Sequence, residues 1–119
     1  MRTYLIEPQA IFVPYLVRVL QRAGCEIVAT SRSVDCADIV ANNPSAVLVD
    51  VDYFERSGPT MLCRIRAAVE SAKLIVLSEI DDALFAATCI VSGASIVCSK
   101  ADGEEKLVRA IRTVVSNPR

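Results

Sequence analysis

Histidine and tryptophan are missing from this chain of 119 residues, and glycine occurs only four times. Without histidine there is no Ser-His-Asp or Cys-His catalysis, and no side chain titrates near neutrality unless its surroundings shift it. The five cysteines (Cys25, Cys36, Cys63, Cys89 and Cys98) are odd in number and contain no CxxC pair. That argues against a disulfide framework and against a zinc site. Most are expected to be small core hydrophobes in a reducing cytosol, with a redox-sensing thiol as the alternative. Charge of one sign is also lacking. The net charge is −1 and no basic stripe occurs, which excludes nucleic-acid binding by this chain alone. Long apolar runs are absent too. The longest uncharged stretch, residues 83–99, contains Ser, Thr and Gly. It is shorter than the roughly 20 apolar residues of a membrane helix. The N-terminal apolar run ends at Glu7 after three residues, unlike a signal peptide. A soluble, cytoplasmic protein without membrane contact is expected.

What is present is a globular composition, 53% hydrophobic and 23% charged. The length suits one domain over residues 1–119, because two would each lack a sufficient core. Short apolar runs alternate with amphipathic stretches. Strands are expected at 3–6, 26–30, 46–49, 73–77 and 95–98. Phe12, Leu16, Val19, Leu20 and Ala23 share one face of a first helix, with Pro14 in its first turn and Gly24 as its stop. Ser33 is the expected cap of a short second helix reaching Asn42 and Asn43. Met61, Leu62, Ile65 and Val69 mark a third helix, with Arg64, Arg66 and Glu70 towards water. A fourth begins at Asp81 and Asp82 and closes at Gly93. A fifth buries Leu107, Ile111 and Val114 and exposes Glu105, Lys106, Arg109 and Arg112. Five strand–helix units whose strands are apolar on both faces predict an α/β fold. The architecture is a flavodoxin-like, doubly wound (βα)5 parallel sheet in a three-layer α/β/α sandwich.

In such a sheet, ligands bind beyond the carboxyl ends of the strands. Glu7 follows the first strand, Asp50 ends the third, Ser78 the fourth and Lys100 the fifth, with Asp52 close by. Carboxylates suit a hard cation such as Mg2+. An aspartate there can attack phosphorus, with Ser78 and Lys100 binding the oxygens of the transferred group. Singly, each residue has a plainer reading: Asp50 as a turn cap, Lys100 as a solvated lysine, and Ser78 as uninformative. Their convergence on one edge is what carries the signal.

At these residues the chain resembles, over its whole length, the receiver domain of bacterial response regulators in two-component signalling. The residues that carry the resemblance are Val47-Leu48-Val49-Asp50, Ile75-Val76-Leu77-Ser78 and Val97-Cys98-Ser99-Lys100, with Gly58 eight positions after Asp50. The segment from Lys100 to Ile111 is similar to the branch that carries a C-terminal helix-turn-helix output domain. The resemblance implies that Asp50 accepts a phosphoryl group from a histidine kinase or phosphotransfer protein. It implies Ser78 and Lys100 as partners, and Mg2+ held by Glu7, Asp50 and Asp52. The face formed by the fourth helix, fifth strand and fifth helix would then switch. Such a protein is no enzyme beyond catalysing its own phosphorylation and dephosphorylation.

Two departures leave alternatives open. Glu7-Pro8 stands where the family has two adjacent acids, and Val97 where it often has an aromatic switch residue. Asp52 either replaces the missing metal ligand or crowds the site with a further negative charge. The second function to weigh is therefore a degenerate receiver that takes no phosphate and acts as an interaction or dimerisation module. The uncharged fourth helix, from Leu84 to Val91, presents no polar outer face. A homodimer or partner contact through it and the fifth strand is expected.

Overall fold

The computed structural model describes residues 1–117, apart from the side chains of Tyr53, Glu55 and Arg56. Five parallel strands form one sheet: β1 (Arg2–Ile6), β2 (Glu26–Ser31), β3 (Ala46–Asp50), β4 (Lys73–Ser78) and β5 (Ile96–Ser99). Their order is β2-β1-β3-β4-β5. The helices are α1 (Val13–Arg22), α2 (Cys36–Asn42), α3 (Gly58–Ala68), α4 (Ala83–Val91) and α5 (Glu104–Ser116). Single 3-10 segments at Ala10–Phe12 and Asp52–Ser57 lead into α1 and α3. The expected doubly wound architecture is the one observed.

The strand residues alternate between two cores because successive side chains point to opposite faces. Leu5, Leu48, Ile75 and Leu77 pack with Leu16, Val19 and Leu20 of α1 and Leu107, Val108 and Ile111 of α5. Tyr4, Ile6, Val47, Val49, Leu74 and Val76 pack on the other face with Ile39, Leu62, Ile65 and Cys89 of α2, α3 and α4. Both faces are covered, so the central strands have no polar side and read as continuous apolar runs.

Several local expectations are corrected. Ser33 does not cap α2; Asp35 does, accepting from the Asp38 N–H at 3.1 Å. Phe12 precedes α1 in the 3-10 turn and stays 45% exposed, so it is no part of the buried face. Val114 packs against the α1–α5 core but remains partly exposed, whereas Val108 is buried. Arg66 does not face water. Its guanidinium donates to the carbonyls of Gly93 at 2.7 and 3.0 Å, Ala72 at 2.7 Å and Glu70 at 2.8 Å. Helical periodicity puts Arg66 on the outer side of α3, but the loop leaving α3 wraps over it and lends it carbonyl partners. Gly93 reverses the chain after α4 at φ +120°, and a Cβ there would fall 2.8 Å from Arg66 Cβ. Of the cysteines, Cys25, Cys89 and Cys98 are buried, Cys36 is half-buried and Cys63 is exposed.

Candidate functional site

The carboxyl edge of the sheet brings together every residue singled out from the sequence. Asp50 is the last residue of β3 and is fully buried. Ser78 is the last residue of β4, also buried, and Lys100 follows β5 directly. Parallel register aligns the ends, with Asp50 opposite Leu77 and Ser78 opposite Ser99. Glu7 follows β1, which lies next to β3. Strand order reverses at this β1–β3 pair, the position where doubly wound sheets open a crevice.

Lys100 is the centre of the cluster. Its Nζ lies 2.6 Å from Asp50 Oδ2 and 2.7 Å from Asp52 Oδ2. Burial alone would lower the ammonium, but the hydrogen bonds to Asp50 and Asp52 outweigh it and hold its pKa above the ordinary value. Asp50 Oδ1 accepts from the Asp52 N–H at 3.1 Å. That contact closes a tight turn after β3, with the Val51 side chain buried and its N–H donated to Leu77 O at 3.1 Å.

Asp52 is the most heavily engaged carboxylate. Besides Lys100, its Oδ1 accepts from the Ser78 hydroxyl at 2.7 Å, and the Glu79 N–H donates to both its oxygens at 3.2 and 3.0 Å. Burial would raise this carboxyl, but Lys100, Ser78 and the Glu79 N–H together hold it below the usual aspartate value. The Glu79 amide is a functional group that side-chain reasoning missed. Its only sequence signal is its place directly after Ser78.

Glu7 is the opposite case. It is buried, its Oε2 accepts from the Gln9 N–H at 3.1 Å, and its carboxyl meets that of Asp50. Burial first, and Asp50 second, push it up to about 7. The neighbouring Asp50 carboxylate makes the charged form of Glu7 costlier still. A cavity of about 560 Å³ opens beside this pair, with Phe12, Tyr15, Leu16 and Leu107 on its apolar wall and Glu7 and Lys100 at its polar side.

The expected Mg2+ ligands, Glu7, Asp50 and Asp52, thus share one edge but are not arranged as a metal site. Asp52 is turned to Ser78, Glu79 and Lys100, and Glu7 to Gln9 and Asp50. Among the described residues no trio of Cys, Asp and Glu side chains could hold a metal ion. The cation between Asp50 and Asp52 in this arrangement is the Lys100 ammonium.

The uncharged stretch forms α4 and β5, and α4 exposes large apolar side chains: Leu84 is 75% exposed and Val91 87%. Phe85, by contrast, packs inward against the α2–α4 core. No helix among the described residues is long and apolar enough to cross a membrane.

No family model matches the sequence, and no curated protein matches it. Solved structures do. The signal receiver domain of the DNA-binding response regulator MerR from Colwellia psychrerythraea is 18% identical. That match covers 98% of this chain and 99% of the other, with a TM-score of 0.81. A two-component response regulator of the LuxR family from Aurantimonas sp. is 22% identical over 99% of this chain and 86% of that one, with a TM-score of 0.82. A CheX–CheY–BeF3–Mg2+ complex from Borrelia burgdorferi matches at 19% identity and a TM-score of 0.80, covering 97% of this chain and 89% of that one. At these identities the likeness is one of architecture: the chain has the fold of a response-regulator receiver domain.

Proposed function

We propose that this chain is a signal receiver that takes a phosphoryl group on Asp50 from the phosphohistidine of a kinase or phosphotransfer protein. An Asp50 carboxylate oxygen attacks phosphorus and the P–N bond to the donor imidazole breaks. The electron pair stays on the imidazole nitrogen, and an acyl phosphate forms on Asp50. Hydrolysis reverses the state: water attacks phosphorus and the Asp50 carboxylate leaves. Charge developing on the phosphoryl oxygens would be met by the Lys100 ammonium, the Ser78 hydroxyl and the Glu79 N–H. The observation that carries this reading is the Lys100–Asp50 contact of 2.6 Å at the switch point of the sheet.

A second reading, an interaction module that takes no phosphate, is favoured by one observation. Asp52 already holds the donors that a phosphoryl group needs, above a fully buried Asp50. Under either reading the apolar outer face of α4 is the proposed contact surface for a second copy or a partner protein. The two readings separate on incubation with acetyl phosphate, with and without Mg2+, followed by intact mass. One phosphate gained, and lost in Asp50→Ala, supports the acceptor role. No gain in either the wild type or Asp52→Ala, which vacates the donors, overturns it.

A further inference from the structure

We propose that the Asp52 carboxylate is a tethered occupant of the phosphoryl seat, so that Asp50 is phosphorylated only when Asp52 gives up Ser78, Glu79 and Lys100. This deepens the acceptor reading and rests on it.

Three donors from two different strand ends, β4 and β5, converge on one carboxylate: the Ser78 hydroxyl at 2.7 Å, the Glu79 N–H at 3.0 Å and Lys100 Nζ at 2.7 Å. A hydroxyl, a backbone amide and an ammonium aimed at one point make an anion cradle. They flank Asp50, whose Oδ2 shares the same ammonium at 2.6 Å. A phosphoryl group on Asp50 would carry its oxygens to these donors. Asp52 fits the cradle through local chain geometry. Its own N–H is fixed on Asp50 Oδ1, and both carboxylates reach the same Lys100 ammonium.

The consequence is competition. A carboxylate two residues away has a high effective concentration in the cradle, which a free anion must match. A phosphoryl group must also approach Asp50 with the charged Asp52 beside it, both carboxylates drawing on the same Lys100 ammonium. Both effects slow acceptance and shorten the life of the acyl phosphate. Alanine at position 52 removes the competing acceptor from all three donors, and asparagine removes its charge while keeping one acceptor oxygen.

The test compares wild type, Asp52→Ala, Asp52→Asn and the Asp50→Ala/Asp52→Ala double variant. Phosphate incorporation from acetyl phosphate is followed by intact mass, and binding of beryllofluoride by 19F NMR. Asp52→Ala should incorporate phosphate at least ten times faster than wild type, and the double variant not at all. Bound beryllofluoride should appear in Asp52→Ala at concentrations where the wild type shows none. Asp52→Asn keeps the side-chain volume and guards against a packing artefact; it should also exceed the wild type. Equal rates in wild type and both Asp52 variants would overturn the competition while leaving Asp50 as acceptor. Slower incorporation in the variants would make Asp52 a helper and overturn it as well. Incorporation in none of the proteins would overturn the acceptor reading itself, and so would label that survives in the double variant.

Discussion

Replacing Glu7 by glutamine should change how stability depends on pH, and the structure gives the size and the sign. Glu7 is buried at the sheet edge against Asp50, which pushes its carboxyl from 4.5 to about 7. At about 1.4 kcal/mol per pH unit, carrying the charge on Glu7 costs the folded chain up to about 3 kcal/mol relative to the unfolded one. Between pH 4.5 and 7 the folded chain keeps a proton that the unfolded chain has lost. Stability therefore falls as pH rises through that window and levels off above it. Asp52 acts elsewhere: its carboxyl is held low, so its contribution is present above the usual aspartate range and is lost only at more acid pH. Glutamine copies the shape of the neutral acid and keeps a donor towards Asp50, but cannot ionise. Glu7→Gln should match the wild type near pH 4.5 and exceed it by about 2–3 kcal/mol at pH 8. Urea melts at pH 4.5, 6, 7 and 8 measure this directly. Parallel curves, offset by a constant amount at every pH, would refute the reasoning.

Other perturbations have equally definite outcomes. Lys100→Met leaves Asp50 and Asp52 facing each other without their shared cation. It should cost roughly 3 kcal/mol at pH 7 in urea melts, and a loss below about 1 kcal/mol would contradict the pairing. Arg66→Ala uncovers the carbonyls of Gly93 and Ala72 and should cost about 2 kcal/mol. Gly93→Ala places a Cβ 2.8 Å from Arg66 Cβ at a φ of +120°, so it should cost about 1–3 kcal/mol in urea melts, and an unchanged midpoint would argue against that contact. Leu84→Glu with Val91→Glu alters only the exposed face of α4. Wild-type sedimentation should depend on concentration and the double variant's should not, whereas identical behaviour would remove α4 as a self-contact.

The parallel sheet was legible because each central strand is apolar on both faces: Val47 and Val49 pack on one face and Leu48 on the other. The site was legible as a set of strand ends: Asp50, Ser78 and Lys100 need only correct strand boundaries to meet. What the sequence hid were contacts made by loops. Arg66 looked solvent-facing because periodicity does not know where the chain goes after α3. Ser33 and Asp35 are both competent caps, and only the position of α2 decides between them. Asp52 left two roles open from sequence, and its choice of Ser78, Glu79 and Lys100 depends on a backbone amide that no side-chain pattern reveals. Phe85, apolar like its neighbours, turns inward against the core on the α2–α4 side of the sheet while Leu84 stays out.

Asp50 as the acceptor is tested most directly by trapping the acyl phosphate and locating it. Asp52→Ala and wild type are treated with acetyl phosphate, reduced with borohydride, and digested for peptide mass mapping. Reduction converts a phosphorylated aspartate to homoserine and leaves a free carboxylate untouched. Homoserine at position 50 in both proteins, and more of it in Asp52→Ala, is the predicted result. Homoserine at position 52 in the wild type, or at neither position in either protein, would contradict it.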